Sequence, residues 1–289
     1  MLVIFTDTDT DFTPKEAEEF GFKLISMPYI IDGKEIYPYE DFKEYDYKSY
    51  YDLLRSGVLP KTGAISPLKY KEYFEKEFKD GNDILYIHFS KAMSGTFNSM
   101  NIAVEELKKE YPDRKFYSLD TKAITILSYL ILKEIGDLIK KGMTIDEIYQ
   151  WAEKEVDKFT VYFYTEDLKF FQRSGRISNL SGFMGSLLGF KPIIHIGSDG
   201  IMKNIGKERG KDAVVKKLMS YVDELQENIK DYRVIVGHTD CFESASKLGN
   251  LLKEKYGDDL RIEYVIVNPT IASHCGPNCV GVAFHCIHR

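Results

Sequence analysis

Short apolar runs alternate with amphipathic stretches through the first half of the chain, a pattern that predicts repeated strand–loop–helix units. Residues 2–6 read as a strand that runs into an acidic loop. Thr13-Pro14-Lys15-Glu16 then supplies an N-cap, a first-turn proline and a capping-box glutamate. Helices are expected over 46–57 and 66–78, the second with Ser66 as N-cap and Pro67 in its first position, and a loop is expected over 59–65. A buried-type strand over 83–89 leads through the loop 90–96 into a periodic helix from about 98 to 110. A strand over 115–119 follows, then a long helix ending near Gly142 and a helix opened by the capping box Thr144 to Glu147 and ending near Asp157. Such units imply a largely parallel sheet whose functional loops lie at the C-terminal ends of its strands.

After Thr160 the pattern changes. A strand over 161–165, a hairpin over 193–205 turning at Ser198-Asp199-Gly200, a helix, a strand over 233–238 and another helix come in succession. Strands over 261–267 and 280–287 close the chain around a loop over 268–279. The fold class expected is α/β in two domains. Residues 1–158 form a mostly parallel sheet with flanking helices, and residues 159–289 form an α+β layer.

With 289 residues and 44% hydrophobic content, the chain can fill two cores. Its net charge of -6 disfavours the phosphate attraction behind most nucleic-acid binding, so no nucleic-acid partner is expected. No apolar run reaches the roughly 18 residues of a membrane span, and the apolar opening 1–5 lacks a basic flank, which implies a cytoplasmic location. The four cysteines, Cys241, Cys275, Cys279 and Cys286, are expected as reduced thiols.

Several segments carry candidate chemistry. Residues 90–96 put three hydroxyls and Gly95 at a strand-to-helix turn, where free N–H groups and the helix dipole suit an anion; N-capping alone would use the same residues. The opening Thr6-Asp7-Thr8-Asp9-Thr10-Asp11 is similar to the start of haloacid-dehalogenase-type phosphatases, with Asp7 as nucleophile beside Mg²⁺, although Asp11 stands where that motif has Thr or Val. The competing reading is a solvated acidic loop. His274, Cys275, Cys279, His285, Cys286 and His288 cluster late in the chain without zinc-ligand spacing, so no metal is expected, and Cys279 and Cys286 read as core thiols. A His274–Cys275 dyad is disfavoured because neighbours in an extended segment point to opposite sides. His274, placed in a Gly-Pro loop between strands, reads as a working or hydrogen-bonded ring. Arg173 and Arg176 flank Gly175 and suit contact with phosphate or carboxylate, as would any solvent-facing helix end.

Taken in order, these segments resemble the DegV family of bacterial fatty-acid-binding proteins. Thr6 to Asp11 is similar to its opening T-D-S-x-x-D, and Thr62-Gly63-Ala64-Ile65-Ser66-Pro67 to its T-S-Q-P-S-P loop. Ser90 to Ser99 resembles S-S-x-x-S-G-T-Y-N-S, and Leu119-Asp120-Thr121-Lys122 resembles I-D-S-K. Gly175-Arg176-Ile177-Ser178 is similar to G-G-R-I-S, and Ser273 to Asn278 to x-H-T-G-P-G, with Cys275 for Thr and Asn278 for Gly.

The resemblance implies two α/β domains with a ligand tunnel between them, and a protein that is not itself an enzyme. It would bind a long-chain fatty acid and present the carboxylate to a separate ATP-binding fatty acid kinase subunit, then carry the acyl phosphate toward phospholipid synthesis. That role is compatible with transient membrane contact. No cofactor is implied beyond the fatty acid as ligand. Thr62, Ser94, Gly95, Thr96 and His274 would hold the head group, with His274 assisting the reaction, and Arg173 and Arg176 would meet the partner or the transferred phosphate. The alternatives are the Mg²⁺-dependent phosphatase and a lipid sensor without a kinase.

Overall fold

The computed structural model describes residues 1–178 and 189–289. The elements run in the order β1 (Leu2–Asp7), α1 (Pro14–Phe20), β2 (Phe22–Ile25), β3 (Tyr29–Ile31), β4 (Lys34–Ile36), α2 (Tyr47–Arg55), β5 (Lys61–Thr62), α3 (Pro67–Lys79), β6 (Asp83–His88), α4 (Thr96–Glu110), β7 (Phe116–Asp120), α5 (Thr125–Lys140) and α6 (Ile145–Glu155). They continue as β8 (Phe159–Tyr164), α7 (Lys169–Ser174), β9 (Ile177–Ser178), β10 (Phe190–Ile196), β11 (Met202–Arg209), α8 (Lys211–Leu225), β12 (Val234–His238), α9 (Phe242–Tyr256), β13 (Ile262–Ile266), α10 (Pro269–Cys275) and β14 (Val280–His285).

Both capping boxes form: Thr13 with Glu16 opens α1, and Thr144 with Glu147 opens α6. Ser66 caps α3, with Pro67 in its first turn. The strands β2-β1-β6-β7 pair in that order, all parallel, and helices cover the sheet. A mixed sheet, β13-β12-β14-β8-β10-β11-β9, forms the second layer, and β4-β3-β5 is a small antiparallel sheet. The architecture is therefore α/β, a parallel sheet with flanking helices beside a mixed-sheet unit.

Helix α5 joins the two sheets. Ten of its residues, including Ile126, Leu127 and Leu130, are buried, and it packs on β8, β12 and β14. A helix buried on most of its circumference belongs between layers rather than on a surface. Its seat is made by Gly237 and Gly281, which face each other across β12 and β14. A Cβ on Gly237 would lie 2.4 Å from Ile126 Cγ2, and one on Gly281 would lie 2.8 Å from Phe163 Cβ. Glycine inside a strand here serves close approach.

Four sequence expectations need correction. The segment 59–65 is not all loop, because Lys61–Thr62 pairs with Tyr29 and Ile30 of β3. The segment 268–279 holds helix α10, so His274 sits in the last turn of a helix rather than in a Gly-Pro loop, and Cys275 follows it on that helix rather than in an extended segment. Helix α4 begins at Thr96, two residues earlier than expected. The acidic loop is not solvated: Asp7, Asp9 and Asp11 are all buried.

Candidate functional site

Loops leaving the C-terminal ends of β1, β6 and β7 meet α10 and the faces of β8, β12 and β14 around a cavity. Its wall is mostly hydrocarbon, with Met27, Phe89, Ile126, Phe163, Phe171 and Val267 among the lining residues. The placement is the one expected for a ligand site on an open α/β sheet.

One end is polar. Thr62, Ser94, Arg176 and His274 line it together. Thr62 is carried by β5, which the pairing to β3 holds beside α10. Its Oγ1 lies 2.9 Å from His274 Nε2. His274 Nδ1 is buried and has no hydrogen-bond partner among the described residues. Burial, followed by the charges of Arg176 and Arg173, pushes the His274 pKa down to about 3, so the ring is neutral at neutral pH. Ser94 Oγ accepts the Thr96 backbone N–H at 3.2 Å, which leaves the serine's own proton free to donate. Two hydroxyls, an imidazole and a guanidinium at the end of an apolar cavity suit a carboxylate on an aliphatic chain.

The other expected residues divide. Gly95 lines a shallower groove beside the polar end, with Ser94, Arg176 and Ile177. Thr96 is turned inward, its hydroxyl 3.1 Å from Tyr70 Oη, and is not brought to the cavity wall. Arg173 reaches back to backbone: it donates to Leu59 O and Pro60 O, and to Ser273 O at 3.1 Å. It ties the segment before Thr62 to the residue before His274. Arg176 donates to Ser174 O and borders both the cavity and the groove.

Nothing favours the phosphatase. Asp7 has no exposed surface, and its Oδ2 accepts Tyr86 Oη–H at 2.9 Å and Phe89 N–H at 3.3 Å, so a phosphate ester has no path to it. Among the described residues no group of three or more His, Cys, Asp or Glu side chains is placed to hold a metal. Cys275 and Cys279 are buried, their thiols donating to Ile271 O and Cys275 O, and Cys286 lies in the second core. Among the described residues no helix is long and apolar enough to cross a membrane.

Sequence reasoning missed much of the wall. Gly237 and Gly281 had a signal, a glycine inside each of two apolar strands. Asp9 reads from sequence as part of the phosphatase-like opening or of a solvated acidic loop and not as cavity wall, and Thr270 and Ile271 are hidden by the unrecognised helix α10.

Asn278 occupies the left-handed region at φ +63, which explains why Asn is tolerated where the resembling motif has Gly.

Comparison with known proteins agrees with the fold. A DegV domain-containing protein of Clostridium perfringens is 34% identical over 283 residues, covering 98% of this chain and 96% of that one. Among solved structures, a stearic acid-binding protein from Eubacterium ventriosum superposes with a TM-score of 0.86 at 21% identity, over 99% of this chain and 98% of that one. A fatty acid binding DegV family protein from Streptococcus agalactiae gives 0.82 at 26% identity, over 99% and 98%. Residues 1–286 match the family model described as "Uncharacterised protein, DegV family", and with a relative at 34% identity along almost its full length the chain belongs to that family.

Proposed function

We propose that this protein binds one long-chain fatty acid with its tail in the apolar cavity and its carboxylate at Thr62, Ser94 and His274, and that it presents the carboxylate to a separate ATP-binding kinase subunit. The observation that carries the reading is the joining of an aliphatic cavity to a polar end built from neutral donors, Thr62 beside neutral His274 and Ser94 with a free proton. Solved relatives described as fatty-acid-binding share the fold and support the ligand class.

The energetics fit. About fourteen methylenes at roughly 0.8 kcal/mol each offer on the order of 11 kcal/mol on burial, before the costs of binding. The tail therefore supplies affinity, and the hydroxyls need only orient the carboxylate and keep it hydrogen-bonded in a dry site. The hydrogen bond between Thr62 Oγ1 and His274 Nε2 fixes the orientation of the hydroxyl and the ring toward the ligand. Arg176, at the border of cavity and groove, supplies the positive charge that a carboxylate and then an acyl phosphate would meet. The protein acts as a carrier: the kinase supplies the chemistry, and this chain would hold the acyl phosphate product in the cytoplasm until it is handed on.

Denaturing extraction of the purified protein, with lipid mass spectrometry, tests the reading. Near one fatty acid per chain is expected. Extracts without lipid, together with no uptake of added palmitate or oleate, overturn it. Acyl phosphate formation with a fatty acid kinase subunit and ATP tests the partner; binding without phosphorylation by any such subunit would leave a lipid sensor.

A further inference from the structure

Away from the head group the cavity wall is hydrocarbon except at a few side chains, and most of those are satisfied by the protein itself. Thr125 donates its hydroxyl to Asp11 Oδ2, Thr270 donates to Met27 O at 2.7 Å, and Thr239 Oγ1 accepts the Cys279 N–H at 2.7 Å. His238 borders the cavity at the end of β12; its Nδ1 has no partner among the described residues, but its ring stands edge-on to Phe242 of α9. Its strand neighbour Gly237 faces α5, so His238 projects from the other side of the sheet.

Asp9 is different. It lines the cavity, is 7% exposed, and its buried Oδ1 has no hydrogen-bond partner among the described residues. Burial, then the neighbouring carboxyls of Asp7 and Asp11, push its pKa well above the usual carboxylate range, which favours the protonated acid. A neutral carboxylic acid both donates and accepts. Against bare hydrocarbon such a group carries a desolvation cost that nothing offsets.

Its position is set by α10. Asp11 Oδ1 accepts both the backbone and side-chain N–H of Asn268, at 2.9 and 2.7 Å, which fastens the turn carrying Asp9 to the N-terminal end of that helix. His274 stands at the other end of α10, whose seven residues span about 10 Å at 1.5 Å each. Asp9 therefore meets a bound acyl chain along its length, past the carboxylate.

We propose that the cavity selects long-chain fatty acids bearing an oxygen function along the chain, a hydroxyl or a keto group, with Asp9 as its hydrogen-bond partner. This rests on the fatty-acid reading above and narrows its ligand class. A hydroxyl pairs with both faculties of a neutral acid, whereas a plain chain leaves the acid unpaired, and sites built around a buried polar group discriminate strongly against analogues that lack the matching group.

The test compares dissociation constants for stearic acid, stearic acid hydroxylated near mid-chain and stearic acid hydroxylated at its methyl end. The wild-type protein is expected to favour the mid-chain hydroxy acid over stearic acid about tenfold and over the end-hydroxylated acid by more. Asp9→Asn, which keeps a donor and an acceptor, should retain the preference. Asp9→Leu should lose it while binding stearic acid at least as tightly as wild type. Equal or weaker wild-type binding of the mid-chain hydroxy acid overturns the inference without need of any variant, and so does a preference that survives in Asp9→Leu. Stearic acid binding without discrimination leaves the fatty-acid reading standing and removes only this one; failure of all three acids to bind removes both.

Discussion

Thr62 Oγ1 and His274 Nε2 lie 2.9 Å apart although 212 residues separate them in the chain. The contact joins a two-residue strand of the first unit to the last turn of a helix that precedes the final strand, so the polar end of the cavity forms only when both ends of the chain are in place. The pair also explains how a carboxylate could be held without a fixed lysine: a neutral imidazole orients one hydroxyl, and the anion's charge is met by Arg176 at the border with the outer groove.

Holding and reacting should separate by residue. On the proposed function Ser94→Ala would remove a charge-assisted hydrogen bond worth about 1.5 to 3 kcal/mol, so palmitate affinity should fall roughly ten- to a hundredfold. His274→Ala should lower kinase-coupled acyl phosphate formation at saturating palmitate far more than it lowers affinity, because the ring touches the hydroxyl that orients the attacking group. Wild-type turnover in His274→Ala, in a variant shown by thermal melt to be folded, would leave the ring a structural role only.

The two arginines should no longer behave alike. Arg173 spends its donors on Leu59, Pro60 and Ser273 carbonyls, so Arg173→Ala should loosen the segment that positions Thr62, lowering both the melting temperature and the affinity for fatty acid. Arg176→Ala should leave the melt near wild type while slowing acyl phosphate formation with a kinase subunit. It should also raise the His274 pKa, readable by NMR titration, since Arg176 is the larger of the two charges that depress it. Equal loss of stability in both variants would contradict this division.

The long strands and capped helices were legible because periodicity and capping chemistry are local. Shorter pieces were not: β2 to β5 have two to four residues each, too few for a period, although Asp32-Gly33 carried a hairpin signal. Helix α10 was legible in principle from Asn268 as N-cap and Pro269 behind it, but its seven residues read as turn. The acidic opening misled most. Nothing within it announces burial, because the groups that receive it are distant in sequence: Tyr86 for Asp7, Thr125 and Asn268 for Asp11. The head-group candidates rest on resemblance to a family; their chemistry alone leaves N-capping and structural hydrogen bonds as competing readings.

The seat of α5 should tolerate no added carbon. Gly281→Ala would place a Cβ 2.8 Å from Phe163 Cβ and 3.2 Å from Ile126 Cδ1, both lining the cavity, so a loss of about 1 to 3 kcal/mol of stability and weaker palmitate binding are expected. Asn278→Gly is the contrasting change: at φ +63 the backbone suits glycine, and urea unfolding should shift by less than about 1 kcal/mol. Equal effects from the two would argue against the close approach of α5 to β12 and β14.

Burial of Asp7 should appear in the pH dependence of stability. Its pKa is pushed up to about 7 by burial, against which the Tyr86 hydroxyl and the Phe89 N–H act only in part. The unfolded value is about 4, so the folded chain holds this proton more tightly, and the stability it contributes is complete below about pH 4 and lost as pH rises through 7. Asp11, raised to about 6, acts in the same direction over a lower range. His274 opposes both: with its folded pKa near 3 and an unfolded value of about 6.5, protons bind the unfolded chain and stability is lost as pH falls below 6.5. Between about pH 4 and 6 the histidine offsets only part of the aspartate slope, to which Asp9, also raised by burial, adds in the same direction, whereas above about pH 6.5 the histidine no longer contributes and Asp7 and Asp9 still do. Wild type should therefore lose stability from about pH 6.5 to 8, and Asp7→Asn, which keeps an acceptor for Tyr86 and Phe89 but cannot ionise, should show a clearly shallower slope across that window. Urea denaturation of both proteins at a series of pH values measures the two slopes. Parallel slopes would mean that Asp7 is ionised in the folded chain without cost, and its burial against Tyr86 would then need another compensating charge.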